Sequence, residues 1–574
     1  KNILAVRVDN SAQPDSRWYT GSGIYRNVRL IITGKIHPAP WEIYITTPEI
    51  TDDRAIVNVE TKLMNHYGRS VAVEVEQIIT DSEGRVISKN KTGILQTGVL
   101  YDISQQLQID QPVLWSVENP YLYKCKTLIF ADGKLSSVEE TSFGIRYFRF
   151  DVQKGFILNG KPLKILGVCL HHDLGALGAA VNVRAIERRL EILKDMGCNA
   201  IRTAHNPPAP ELLDLCDQLG FLVMDEAFDV WKKKKVKHDY HEIWDEWHHK
   251  DLEDMIKRDR NHPSVIIWSI GNEIREQFDS SGITITKELV RIVKSIDKTR
   301  PVTCALTENQ PEKNFIYLSG ALDLISFNYK HQDYINFPVL YPGDRIIASE
   351  NVSAYATRGV YNMPSDSIQR WPEAYNVPLK NPNPDFTVSS YDHISAYWGS
   401  THQETWSVIK ELDYISGMFV WSGFDYLGEP SPYPWPARSS YFGIIDLAGF
   451  PKDAYYMYQA EWTEKPVLHI FPHWNWNKGQ LIDVWAYYNN ADEVELFLNG
   501  QSLGTKSKIP GQYHVKWGVK YEPGVIKAIS RKKGVIVAEK EIKTAGKPYS
   551  VKLFADRNRI KADGLKLFWR YCDD

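Results

Sequence analysis

Nothing in this sequence suggests a disulfide framework, a zinc site or a membrane anchor. Its six cysteines (Cys125, Cys169, Cys198, Cys216, Cys304 and Cys572) stand far apart, with no C-x-x-C pair. Four lie in or beside apolar strand or helix patterns, so buried free thiols are expected. No apolar run reaches the ~20 residues of a membrane-spanning helix. Neither sign of charge is in excess: 68 Lys and Arg face 71 Asp and Glu, a net of -3, which gives no reason to expect a nucleic-acid or polyanion partner. A signal peptide is also missing. Lys1 to Val6 already alternates like a strand, however, so the chain reads as a piece of something longer and the missing leader carries no information about export. Aromatic residues are plentiful, with 18 Trp and 31 Tyr. Such rings suit stacking on sugar faces, and equally a large β-rich protein.

The length of 574 residues allows several domains. Residues 1–33 offer two strand-like runs, Ile3 to Val8 and Val28 to Ile32, too little to fold alone. Residues 34–147 are all-β in pattern, with short alternating runs parted by turn clusters such as Asp81-Ser82-Glu83-Gly84, the signature of an immunoglobulin-like sandwich. From 148 to 465 apolar runs alternate with helical spacing. Eight such runs, most followed by a helix, make a (β/α)8 barrel the economical fold. The helix before the eighth run is expected at about 394–412. A second sandwich fits 466–546, with Asn499-Gly500 as a hairpin turn. A further β domain begins in 547–574, with strands expected at Val551-Lys552-Leu553 and Ile560 to Gly564.

The stretch that organises the chemistry is Ser264 to Glu273, S-V-I-I-W-S-I-G-N-E. It is an apolar β-branched run long enough for a buried strand, and it delivers a carboxylate where the chain turns. The competing reading makes Glu273 a cap for a helix at Ile283 to Ile296. The other barrel strand ends weigh against it, since they carry His171, His205, Asp225, Glu226, Asn272, Tyr329, Glu350 and Trp421. Function sits at such ends in barrels of this kind. Glu273 and Glu350, on the fourth and seventh strands, could converge as the acid and the nucleophile or base of glycoside hydrolysis. Tyr329 could donate to Glu350, His171, His205 and Asn272 could bind ring hydroxyls, and Trp421 could form a stacking floor. For each histidine a core or capping role is an equal alternative. Asp225 and Glu226 are read as holding Arg202 rather than touching substrate.

The ordered motifs resemble glycoside hydrolase family 2, the β-galactosidase, β-glucuronidase and β-mannosidase group. They are W-Y-x-G-S-G-I-Y-R-N-V at Trp18 to Val28, G-x-R-Y-F at Gly144 to Phe148, N-G-K-P-L-K-I-L-G-V at Asn159 to Val168, R-T-A-H-N-P at Arg202 to Pro207, D-E-A-F at Asp225 to Phe228, N-H-P-S-V-I-I-W-S-I-G-N-E at Asn261 to Glu273, and F-V-W-S-G-F-D-Y at Phe419 to Tyr426. The resemblance implies a retaining exo-β-glycosidase, with residues 1–33 as the end of a jelly-roll domain. By match to its motifs it makes Glu273 the acid/base, Glu350 the nucleophile, Tyr329 its hydrogen-bonding partner and Asn272 the contact to the 2-hydroxyl. His171 and His205 fall on substrate-binding positions and Trp421 on the aromatic floor. It also implies an oligosaccharide or polysaccharide substrate, a possible homo-oligomer, and a periplasmic or secreted location in a bacterium.

Three departures narrow the expectation. Ser439 to Gly443 lacks the Asn-x-Lys pair with which glucuronidases of the family bind the sugar carboxylate. Phe228-Asp229-Val230-Trp231 supplies only Asp229 where the lactose-type enzymes hold magnesium with Glu and His, so no cofactor is expected. Glu350-Asn351-Val352-Ser353 lacks the histidine those enzymes place after the nucleophile. The expectation is therefore a β-galactosidase-like enzyme acting on oligosaccharides from complex glycans. The alternatives are glucosidase, mannosidase or glucuronidase specificity, an endo-acting or transglycosylating relative, or an inactive carbohydrate-binding fragment.

Overall fold

The apolar runs of residues 148–465 close on one another as a parallel eight-stranded barrel. Its strands are β1 (Ile165–Leu170), β2 (Ala200–Thr203), β3 (Leu222–Glu226), β4 (Val265–Asn272), β5 (Val302–Leu306), β6 (Ile325–Asn328), β7 (Ile346–Val352) and β8 (Ile415–Trp421). β8 pairs back onto β1, with Ile165 opposite Gly417, which removes every open edge. This computed structural model describes residues 3–93, 95–97, 100–553 and 559. Each barrel strand is buried along its whole length save for Leu166. That explains why the runs read as continuously apolar rather than alternating.

The helices begin and end where local chemistry dictates. α1 (Val183–Met196) starts at Asn182, whose side chain accepts from the Ala185 amide at 3.0 Å, and stops at Gly197 in a left-handed turn. α2 (Pro210–Leu219) has proline in its first turn. α3 (Trp244–Asp259) and α4 (Ser281–Ile296) pack side by side outside β4, followed by the short α5 (Phe337–Leu340). The helix expected at 394–412 is only α6, His402–Ile409. A capping box between Thr401 and Glu404 fixes its start, and Ile394–Ser395 is instead a short strand paired with Gln369–Arg370. α7 (Asp453–Trp462) closes the barrel region.

Two sandwiches flank the barrel. In the first, the strands Ile36–Ile50, Arg54–Asn65 and Leu100–Asp110 face a sheet built on Val71–Thr80 and Tyr123–Ala131. Val71–Thr80 alternates strictly between buried and half-buried positions, as one inward face requires. This domain is bolted to the bottom of the barrel. Trp115 Nε1 donates to the Asp217 carbonyl at 2.9 Å, and Arg146 donates to the carbonyls of Pro263 and Val265. Those bonds anchor the entry to β4. In the second sandwich, Asn499 and Gly500 form a two-residue hairpin between Glu493–Leu498 and Gln501–Lys506, both with positive φ.

Two expectations fail at the start of the chain. Ile3 to Val8 and Val28 to Ile32 are not strands among the described residues. They carry no regular structure, with Ile3, Leu4, Val28, Leu30, Ile31 and Ile32 largely exposed, because no neighbouring strand supplies ladder partners. Val551-Lys552-Leu553 is likewise not a strand, and the strand expected at Ile560 to Gly564 lies outside the described residues. Between these arms, Asp15 to Asn27 lies across the barrel mouth. Trp18 bridges to Gly428, the Tyr19 amide donates to the Leu427 carbonyl at 3.0 Å, and Arg26 donates to the carbonyls of Pro207 and Pro208.

Candidate active site

The ends of β4, β6 and β7 bring the acidic centre together. Glu273 follows β4 directly; its amide donates to the Ala305 carbonyl at 2.8 Å, tying it to β5. Tyr329 follows β6, and its amide donates to the Glu350 carbonyl at 2.7 Å. Glu273 and Tyr329 both adopt positive φ, at 45° and 56°. This left-handed geometry costs a non-glycine residue free energy and persists only where surrounding contacts enforce it. The capping role for Glu273 does not hold, since α4 begins well beyond it, at Ser281. Glu273 instead faces a cavity of about 480 Å³ that it lines with Glu350, Tyr329, Asn328, His205 and Trp421.

Glu350 is 5% exposed and gripped from two sides. Tyr329 Oη donates to Oε1 at 2.6 Å, and Arg202 Nη1 donates to Oε2 at 2.7 Å. Burial pushes its carboxyl above the usual range, Arg202 pulls it down, Glu273 pushes it up, and the Tyr329 hydrogen bond favours the ionised form. Ser353 Oγ in turn donates to Tyr329 Oη at 2.9 Å, so the phenol proton is directed at Glu350. Glu273 accepts from Asn328 Nδ2 at 3.1 Å and is only half-buried, open to the cavity.

Beneath the carboxylates lies a fully buried hub. Arg202, on β2, donates to Glu226 at 2.9 Å, to Glu350 and to Asn272 Oδ1 at 2.8 Å. Burial opposes the charge on Glu226, but Arg202 and His205 outweigh it and hold that carboxyl below its usual range. His205 Nδ1 lies 2.7 Å from Glu226, so the carboxylate fixes the ring with its proton on Nδ1. Nε2 then faces Asn272 at 3.4 Å and Glu350 at 3.9 Å. The expectation that Asp225 and Glu226 share Arg202 is half wrong. Successive strand residues point to opposite faces, so Glu226 enters the barrel while Asp225 turns outward to Thr203 Oγ1 at 3.3 Å. There, burial and the nearby charge of Asp259 push its carboxyl well above the usual range.

Aromatic rings wall the cavity. Trp421 lies parallel to His205 with centroids 5.3 Å apart, and His171 packs edge-on against Trp421 at 5.1 Å. His171 also stacks on Trp18 at 4.6 Å, and burial holds its imidazole neutral, far below the usual pKa.

A model for the family 2 glycosyl hydrolase TIM barrel domain matches residues 151–430, and a further family 2 model matches residues 41–146. Residues 479–538 match a domain of unknown function. The chain is 50% identical over 599 residues to β-galactosidase BoGH2A of Bacteroides ovatus, covering 99% of this chain and 70% of that protein. It belongs to glycoside hydrolase family 2. A putative β-glucuronidase of Formosa agariphila is 35% identical over 584 residues, covering 96% of this chain and 53% of that one. Among solved structures, a β-glycosidase from Bacteroides vulgatus superposes with a TM-score of 0.85 at 36% identity, over 97% of this chain and 71% of that one. A family 2 member from Bacteroides cellulosilyticus gives 0.83 at 33% identity, over 96% and 70% of the two chains.

In this family 2 glycosidase, Glu273, Glu350, Tyr329, His205 and Trp421 meet at one cavity. Asn272 sits just beneath, bonded to Arg202, Asp229 and Asn328. His171 is not among the residues lining that cavity; it packs edge-on against Trp421 and His205. The sequence reading passed over Arg17, Asn328, Trp398 and Glu429, all of which line the cavity. Arg17 immediately precedes the Trp18 to Val28 motif, and Asn328 ends a strand beside Tyr329, so both had a signal. Trp398 and Glu429 come from long loops whose course no periodicity reveals.

Proposed function

We propose that this chain is a retaining exo-β-galactosidase of oligosaccharides released from complex glycans, working by double displacement. Glu273 protonates the departing glycosidic oxygen while Glu350 attacks the anomeric carbon. The aglycone leaves as an alcohol and a glycosyl-Glu350 ester remains. Glu273, now a carboxylate, takes a proton from water, which attacks the same carbon and frees Glu350. The observation that carries this reading is Glu350 itself, a buried carboxylate gripped by Tyr329 and Arg202 beside a half-open glutamate. Its two partners fix the carboxylate's position and favour its ionised form, as a nucleophile needs.

A neutral glycone is favoured by the charge lining the cavity. Glu273, Glu350 and Glu429 stand against Arg17 and Lys330, and Arg17 is already paired with Asp229 at 2.9 Å. A uronate carboxylate entering there is brought against Glu350 and Glu429. The similarity to BoGH2A, itself called a β-galactosidase, supports the galactose configuration.

The donor set around Asp229 does not suit magnesium. Its Oδ1 receives Arg17 at 2.9 Å, Lys235 at 2.8 Å and Asn272 at 3.0 Å, so two cationic side chains stand where a metal would. Among the described residues no group of three or more His, Cys, Asp or Glu is arranged to hold a metal ion. Activity is accordingly expected to survive a chelator; loss restored by added magnesium would overturn that reading.

The test is a panel of aryl β-galactoside, glucoside, glucuronide and mannoside with this chain and with Glu350→Gln. Galactoside cleavage that disappears in the variant is the expected result. Full activity in Glu350→Gln refutes the nucleophile, and preference for another sugar refutes the glycone.

A further inference from the structure

Arg17 and Glu429 face each other across the cavity mouth without closing. Arg17 Nη1 and Glu429 Oε1 are 3.9 Å apart, beyond hydrogen-bond range although the charges are opposite. The reason is that each is held by a stronger partner. Arg17 Nη2 donates to Asp229 at 2.9 Å, and Asp229 is itself fixed by Lys235 and Asn272. Glu429 Oε2 accepts from the buried Tyr426 hydroxyl at 2.6 Å. The backbones are locked together as well, through the Trp18–Gly428 bridge and the Tyr19 amide on Leu427. Glu429 adopts a positive φ of 45°, which puts a strained non-glycine residue at the cavity wall. Arg17 Nε, buried, has no protein acceptor. Both side chains remain partly open, 31% and 27% exposed, on the cavity that holds Glu273 and Glu350.

We propose that Arg17 and Glu429 form a hydroxyl clamp that reads one ring or exocyclic hydroxyl of the glycone, and so sets which sugar the enzyme accepts. A sugar hydroxyl donates and accepts through a single oxygen. Seated beside the pair on the cavity side, about 2.8 Å from each atom, it accepts from Arg17 Nη1 and donates to Glu429 Oε1, completing two charge-assisted hydrogen bonds that the protein cannot make alone. A sugar lacking that hydroxyl, or presenting it in the opposite configuration, leaves both charges desolvated by the glycone and unbridged. An anionic substituent would meet Glu429. The clamp belongs to the same site as the glycosidase reading and rests on it.

The experiment is a cycle of substrate and protein changes. The kcat/KM of an aryl β-galactoside and of its 3-, 4- and 6-deoxy analogues is measured for the unaltered chain, Arg17→Met and Glu429→Gln. One deoxy analogue is expected to be about 10- to 100-fold poorer with the unaltered chain, the worth of a hydrogen bond to a charged group. Each variant should lose a similar factor on the parent galactoside yet cleave that same analogue within about 3-fold of the unaltered chain, because the interaction is already gone. Two variants on opposite sides of the gap guard against either one failing to fold, and titration with a 2-deoxy-2-fluoro glycoside that traps the nucleophile counts intact sites. Losses that multiply for every analogue, or variants as active as the unaltered chain on the parent sugar, overturn the clamp. If the aryl panel shows a different accepted glycone, the galactosidase reading has failed, and the same cycle on deoxy analogues of that sugar still decides the clamp.

Discussion

Replacing Tyr329 by Phe deletes one hydroxyl and leaves the ring's packing intact. The lost contact is the 2.6 Å hydrogen bond to Glu350 Oε1, made to a carboxylate that is 5% exposed. Hydrogen bonds to charged groups contribute about 1.5–3 kcal/mol. Only the ionised form of Glu350 accepts this one fully, so its loss raises the Glu350 pKa further. The sign follows from the site: burial already pushes Glu350 up, and the variant removes one of the groups pulling it down. Because the nucleophile must be ionised to attack, the acidic limb of kcat/KM against pH moves to higher pH. Below the shifted limb the rate falls about 10- to 100-fold. The limb belongs to the coupled pair of Glu273 and Glu350, so it is read as an apparent value. The assay is the pH dependence of aryl glycoside hydrolysis for the two proteins. A limb that stays in place, or moves to lower pH, refutes the claim that Tyr329 keeps Glu350 ionised.

Glu273→Ala is expected to be rescued by azide with an activated aryl glycoside, giving a β-glycosyl azide, because glycosylation then needs no acid and the vacated position admits a small anion. No rescue and no azide product would count against Glu273 as acid/base. Arg202→Met should destabilise the barrel by about 3–5 kcal/mol, since it leaves Glu226 buried and uncompensated. Chemical denaturation monitored by tryptophan fluorescence reads it. Arg202→Met combined with Glu226→Gln should recover part of the loss, and an unchanged midpoint for Arg202→Met alone would refute the hub.

The sequence by itself determined the barrel. Strands buried on both faces must be continuously apolar, and parallel strands need crossovers, so β4 and its seven companions were legible as runs separated by helical spacing. It also determined which side chains stand at the strand ends, because a strand's C-terminal tip is a local position. That brought out Glu273, Glu350, Tyr329, His205 and Trp421, all of which line one cavity. Asn499-Gly500 fixed its hairpin for the same local reason.

What lies across sequence distance was decided only by the tertiary structure. Whether Asp225 or Glu226 met Arg202 depended on which face of β3 looks inward. Whether His171 touched the cavity depended on rings from residues 18, 421 and 426 closing in front of it. The strands expected near residues 3–8 and 28–32 needed ladder partners that local pattern cannot supply. The gap between Arg17 and Glu429 joins residues more than four hundred positions apart, each held off the other by a third residue. Pattern along a chain records the face each residue must show; the distances between those faces are set by packing.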